Sequence, residues 1–191
     1  MSKILHPIEY YEFQDNDLPI FLGGPIRGTE FWREKIIALI QANYQGTKNL
    51  IFIDPTRIGG QKILTPWHED FVSRQRQWEQ YYLRLALKKW RIVFYLAEQT
   101  ILLPRDIEGF QEKAYGAITH IEIGQIMVQA NIRSRLIVGI HDRYPEKSTI
   151  VNDLQSSHYL DLSSPYSPKV LSDFPVYSTL EEVAKGVSWT L

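Results

Sequence analysis

A doubly wound α/β fold, with a mostly parallel five-stranded sheet and helices on both faces, is the architecture this chain predicts. Two observations carry it. Short apolar runs ended by turn residues read as buried strands, and longer segments with helical spacing lie between them. Strands that alternate with helices pair in parallel through right-handed crossovers. The 191 residues, 44% hydrophobic and 23% charged, show no internal repeat and no Pro/Gly-rich linker. One domain spanning residues 1–191 is therefore expected, with residues 1–18 as a polar, aromatic-rich arm.

Each element follows in order. "PIFLGG" (Pro19–Gly24) is an apolar run closed by glycines and reads as the first strand. "TEFWREKIIALIQANY" places Phe31, Ile36, Leu39 and Ile40 near helical spacing, with Thr29 positioned to cap. "NLIFID" is the second strand, "EDFVSRQRQWEQYYLRLALKK" a long helix and "RIVFYLA" the third strand. "AITHIEIGQIM" (Ala117–Met127) is the next helix and "RLIVGI" the fourth strand. A weaker strand near "SHYLDL" and a final helix in "STLEEVAKGV" complete the series.

Charge and composition exclude several classes of function. A net charge of -1 gives no bias toward nucleic acid polymers or anionic lipid. No apolar run is long enough to span a bilayer, and the N-terminus lacks a signal-peptide core. The absence of cysteine rules out disulfides and thiol catalysis and agrees with a cytoplasmic setting. The five histidines show no metal-ligand spacing, and "WHEDF" is not a zinc-peptidase motif, so neither metal nor cofactor is expected.

In doubly wound sheets ligands bind beyond the carboxyl ends of the strands, where strand order reverses. The loops that matter are then "GGPIRG", "EQTILLPRDIEGFQEKAYGA" and "HDRYPEKS". The first offers backbone amides at a strand-to-helix turn, which suits an anion, although a turn that merely needs glycine has the same sequence. It has neither a Walker ending nor a dinucleotide fingerprint. His141 and Asp142 follow the fourth strand, which offers the cleft rim, although a solvated loop is the commoner place for such residues. Glu122 stands three residues after Thr119, the spacing of a capping box, and this plainer reading competes with a catalytic one. Gly124, inside the first turns of that helix, costs about 1 kcal/mol against alanine and suggests a close approach to the backbone. Trp78, Tyr81, Tyr82 and Leu85 form a packing stripe on the long helix, beside Glu79.

Taken in order, "IFLGGPIRG", "WR" (Trp32 and Arg33), "IDPTR", "QWE" (Gln77–Glu79), "RIVFYL" and "THIEIG" resemble the nucleoside 2-deoxyribosyltransferase-like family, over about residues 20–140. The glycine loop is also similar to that of the related nucleotide N-glycosidases. The resemblance implies a flavodoxin-like fold and a Glu-x-Gly motif that supplies the nucleophile, which Glu122 with Gly124 matches. Glu122 would attack the anomeric carbon of a nucleoside or nucleotide and form a glycosyl-enzyme ester. Glu79 would be the second carboxylate. Gly23, Gly24, Pro25, Ile26 and Arg27 would hold the sugar or its 5′ substituent, with Thr119 and Gly124 beside the nucleophile. Tyr115 and Tyr95 are candidates to flank the base, although a strand tyrosine is equally a core residue.

Two positions depart from the family pattern. Gly116 stands where an acid for the leaving base is expected, which leaves Asp106, Glu108 and Glu112 as candidates. "KKWR" occupies the place of an aspartate before the third strand. The resemblance further implies a homo-oligomer. Three roles stay open: cleavage or transfer at an N-glycosidic bond, recognition of a nucleotide derivative without turnover, and a structural subunit in which Thr119 and Glu122 only cap a helix.

Overall fold

The central apolar runs form strands buried on both faces, as a parallel sheet covered by helices requires. The computed structural model describes residues 2–26, 28–56, 69–100, 115–127, 134–156 and 174–189. In chain order the elements are β1 (Ser2–Leu5), β2 (Asp17–Gly23), α1 (Trp32–Asn43), β3 (Asn49–Ile53), α2 (Glu69–Lys89), β4 (Arg91–Leu96), α3 (Ala117–Met127), β5 (Leu136–Ile140), α4 (Lys147–Ser156), β6 (Val176–Tyr177) and α5 (Leu180–Trp189). The strands form one sheet in the order β1-β3-β2-β4-β5-β6, and every pairing among them is parallel.

Without the edge strand β1 the order is that of a flavodoxin-like sheet, and it reverses between β2 and β4. Side chains alternate along β4, so its two faces feed two cores. Phe94 and Leu96 pack with Trp78 and Tyr82 of α2 and Ile123 and Ile126 of α3. Val93 and Tyr95 pack with Trp32, Ile36 and Ile40 of α1 and Val183 and Val187 of α5. The sheet is thus doubly wound, as its sequence predicts.

Two expectations need correction. The sheet has six strands, two of them outside those expected: the short β6 beside β5, and β1 in the arm, where Ser2–Leu5 pairs with β3 from Ser2↔Leu50 to Leu5↔Ile53. Farther along the arm, the Trp78 indole N–H and the Tyr82 hydroxyl both donate to the Glu9 carbonyl, at 2.6 and 3.2 Å, and Phe13 lies 4.4 Å from Trp90. The stretch after β5 also holds a helix, α4, which buries Leu154 and half-buries Ile150 and Val151. The strand expected in "SHYLDL" lies outside the described residues. Among the described residues no helix is long and apolar enough to cross a membrane.

Candidate active site

The glycine loop leaves β2 at the reversal point, and its shape is fixed from below. A side chain at Gly23 would collide with the Phe94 ring, and one at Gly24 with the Tyr95 carbonyl oxygen, so both positions admit only glycine. Gly24 also has φ +141°. Arg33 of α1, 4% exposed, gathers the carbonyls of the turn: Nη2 donates to Gly24 O at 2.7 Å, Nη1 to Pro25 O at 3.1 Å and Nε to Leu22 O at 3.4 Å. The Trp32 indole N–H donates to the same Pro25 oxygen at 3.0 Å. A trans peptide points its C=O and N–H to opposite sides, so the Ile26 N–H faces away from Arg33. The Asp54 carboxylate, 3.4 Å from Arg33 Nε, compensates the buried guanidinium, and it also accepts the Thr56 N–H at 2.8 Å.

Across the opposite core, α2 and α3 bring together the two expected carboxylates. Arg76 Nη1 donates to Glu122 Oε1 at 2.6 Å and to Glu79 Oε2 at 3.2 Å. Glu79 Oε1 accepts from Gln75 Nε2 at 2.9 Å, and the same amide donates to Pro55 O at 3.1 Å, which ties the pair to the loop after β3. Glu122 is 8% exposed. Burial raises its pKa above the ordinary carboxylate value, and the Arg76 hydrogen bond opposes that rise. The charge on Arg33 also reaches Glu122 and Glu79, so the glycine-loop anchor and the carboxylate pair share one electrostatic environment. Arg76 is half-buried and lines a groove of about 880 Å³ along α2, with Gln77, Tyr81 and Arg84.

The other candidates fall into place around these two clusters. Tyr115 donates its hydroxyl to Ala97 O at 3.0 Å and hydrogen-bonds Thr29, locking the start of α3 against the end of β4; burial pushes its pKa up to about 12. Thr29 therefore does not cap α1, whose N-cap position is Phe31 with no side-chain cap bond. Thr119 is buried in the first turn of α3 and is not a cap, because the His120 N–H donates to Gly116 O at 3.0 Å and the helix is already under way. The capping-box reading of Thr119 and Glu122 fails on that geometry. Gly124 is exposed, and among the described residues a Cβ there would meet nothing within 4 Å, so none of them makes the close approach that would explain a glycine.

Tyr95 is a core residue: it packs 5.5 Å from Trp32 on the sheet face opposite α3, out of reach of a base held at Glu122. His141 and Asp142 lie in the turn after β5, where Asp142 is solvent-exposed. There His141 Nδ1 lies 3.7 Å from Glu98 Oε2, Arg143 Nη1 pairs with Glu98 Oε1 at 2.9 Å, and Asp142 pairs with Lys147 at 2.6 Å. Arg27, Asp106, Glu108 and Glu112 lie outside the described residues.

Sequence reasoning missed Arg33 and Arg76 as participants. Arg76 had a signal, its i,i+3 spacing to Glu79. Arg33 had only its place in the "WR" motif, which gives it no role, since its partners are largely backbone carbonyls. Among the described residues no group of three or more His, Asp or Glu side chains is placed to hold a metal ion. No protein-family model matches the chain, and no curated protein matches its sequence.

Proposed function

We propose that the chain cleaves or transfers at the N-glycosidic bond of a nucleoside or nucleotide, with Glu122 as nucleophile and Glu79 as the second carboxylate. The observation that carries this reading is the Glu122–Arg76–Glu79 bridge, in which one guanidinium nitrogen joins two carboxylates beside the reversal point of the sheet. Arg76 keeps the attacking oxygen of Glu122 oriented, and Arg33 holds the glycine loop against which the sugar or its 5′ substituent rests. Glu122 attacks the anomeric carbon, the base departs, and water or a second base attacks the resulting ester. Two displacements retain configuration. The small-molecule substrate needs no cofactor in this scheme.

The resemblance's homo-oligomer belongs to the same proposal, supported by Ile118 and Ile121, which are 54% and 58% exposed on the outer side of α3.

Base release from ribo- and deoxyribonucleosides and their 5′-monophosphates, with and without a second free base, tests the reading. Release that is lost in Glu122→Ala supports it; release that survives in Glu122→Ala overturns it. A second reading is favoured by the 2.6 Å ion pair that occupies Glu122: a nucleotide-recognition module without turnover. It expects saturable binding of an uncleaved nucleotide that persists in Glu122→Gln.

A further inference from the structure

Expulsion of a purine or pyrimidine from a sugar leaves negative charge on a ring nitrogen, so the step is fast only if a proton reaches the leaving base. Neither Glu122, which must be ionised to attack, nor Arg33 or Arg76, which hold their protons too tightly, supplies one. Among the described residues at the carboxyl end of the sheet, a different pair has the chemistry. Tyr144, in the turn after β5, places its hydroxyl 2.9 Å from Nε2 of His120 in the first turns of α3. The hydroxyl is held from several sides. The Tyr144 ring is 3% exposed and packs 5.6 Å from Tyr115 and 5.8 Å from the His120 ring.

The backbone has made room for this hydroxyl. Gly116 has φ +72°, and a Cβ at that position would collide with Tyr144 Oη. The same Cβ would lie 3.7 Å from Cγ of Pro25, so the hydroxyl, Gly116 and the glycine loop meet at one spot. The place where a side chain at residue 116 would stand is filled by the hydroxyl of Tyr144.

We propose that Tyr144 and His120 form the proton relay for the leaving base, a deepening that rests on the glycosidic reading above. In the first step Glu122 forms a C–O bond to the anomeric carbon while the C–N bond breaks and its electron pair goes to the base nitrogen. The Tyr144 hydroxyl proton passes to that nitrogen, and the imidazolium Nε2–H of His120 replaces it. In the second step water attacks the anomeric carbon, the ester bond to Glu122 breaks, and a proton of that water returns through Tyr144 to His120. Atoms and charges balance with water as the only co-reactant.

The surroundings set a pH signature. Burial lowers the His120 pKa, and the charge of Glu146 opposes this; among the described residues the titratable groups around the pair are Tyr144 and Glu146 at His120 and Tyr115 at Tyr144. Burial raises the Tyr144 pKa, so the hydroxyl keeps its proton throughout the working range. The rate therefore climbs as Glu122 ionises, from a pKa raised by burial, and falls as His120 loses its proton below the ordinary imidazole value. The active window is narrow and acidic.

The test uses guanosine, deoxyguanosine and their 5′-monophosphates, each with and without an N7-methyl group. An N7-methylated base departs neutral and needs no proton. Tyr144→Phe and His120→Gln are expected to slow release of the unmethylated bases by roughly 100- to 10,000-fold, and of the methylated bases by far less. His120→Gln is also expected to remove the fall in rate on the alkaline side. Equal loss on both substrate sets, or an unchanged alkaline limb on any unmethylated nucleoside that is cleaved, overturns the relay while the glycosidic reading stands. A wild-type protein that releases base from no nucleoside overturns both.

Discussion

Asp17 and Glu122 each expose 8% of their surface, but the Asp17 carboxyl sits near the surface and that of Glu122 far deeper, and the fold treats them in opposite ways. Asp17, at the start of β2, accepts the Gln14 N–H at 2.8 Å, the Tyr11 hydroxyl at 3.0 Å and the Asn49 amide at 3.1 Å. These hydrogen bonds, the Gln14 amide first, hold its pKa below the ordinary value despite its burial. Among the described residues Glu122, on α3, accepts its hydrogen bond from half-buried Arg76, and burial prevails to raise its pKa. A carboxylate surrounded by local donors at a strand start is a structural joint. One whose pKa burial raises carries a charge that is costly to keep, which is the state expected of a carboxylate used in chemistry.

The largest effect that sharpens this contrast comes from a third acid. Asp54 is matched to buried Arg33, so Arg33→Met strands a buried carboxylate and releases the carbonyls of the glycine loop. A loss of about 3–5 kcal/mol is expected in denaturant unfolding. Retained stability would show that the loop does not depend on this anchor.

Asp17→Ala is expected to cost about 1–3 kcal/mol by the same measurement, since it leaves the donors of Gln14, Tyr11 and Asn49 without their acceptor. The pH dependence follows from the sign of the shift. A depressed folded pKa gives stability that is present above the unfolded value and lost as pH falls through the folded one. The deficit of Asp17→Ala relative to wild type should therefore shrink on acidification. A deficit that is constant with pH would break the comparison.

The smallest effect has the opposite sign. Glu122 has a raised folded pKa, so its contribution is complete below the unfolded carboxylate value and is lost as pH rises through the folded one. Glu122→Gln is expected to be slightly more stable than wild type at neutral pH, with the gain vanishing in acid. A thermal or denaturant midpoint lowered at neutral pH by Glu122→Gln would place Glu122 with Asp17 as a structural acid.

Most of the architecture was legible because burial leaves a periodic trace. The expected helices at Glu69–Lys89 and Ala117–Met127 match α2, where apolar residues recur at helical spacing, and α3, which is apolar nearly all round and leaves Ile118 and Ile121 exposed. Strand β1 left no such trace: three of its four residues are exposed, and only Leu5 enters the core. Helix α4 was hidden because its apolar set, Ile150, Val151 and Leu154, is short and follows a polar, proline-containing turn. Within the site, the motif residues Glu79 and Glu122 could be named, but their meeting through Arg76 spans 46 residues and depends on how α2 and α3 pack. The Tyr144–His120 contact spans 24 residues, again between elements that only folding brings together. Thr119 misled because a capping-box spacing is equally the spacing of two neighbours on one helical face.

The most direct measurement is mass spectrometry of the protein quenched in acid while it turns over a nucleoside that it cleaves. A peptide carrying Glu122 that gains the mass of the sugar less water, and that shows no gain in Glu122→Gln, is the expected result. Base release with no sugar on Glu122 at any quench time, or with the sugar on another residue, would contradict the assignment of Glu122 as nucleophile.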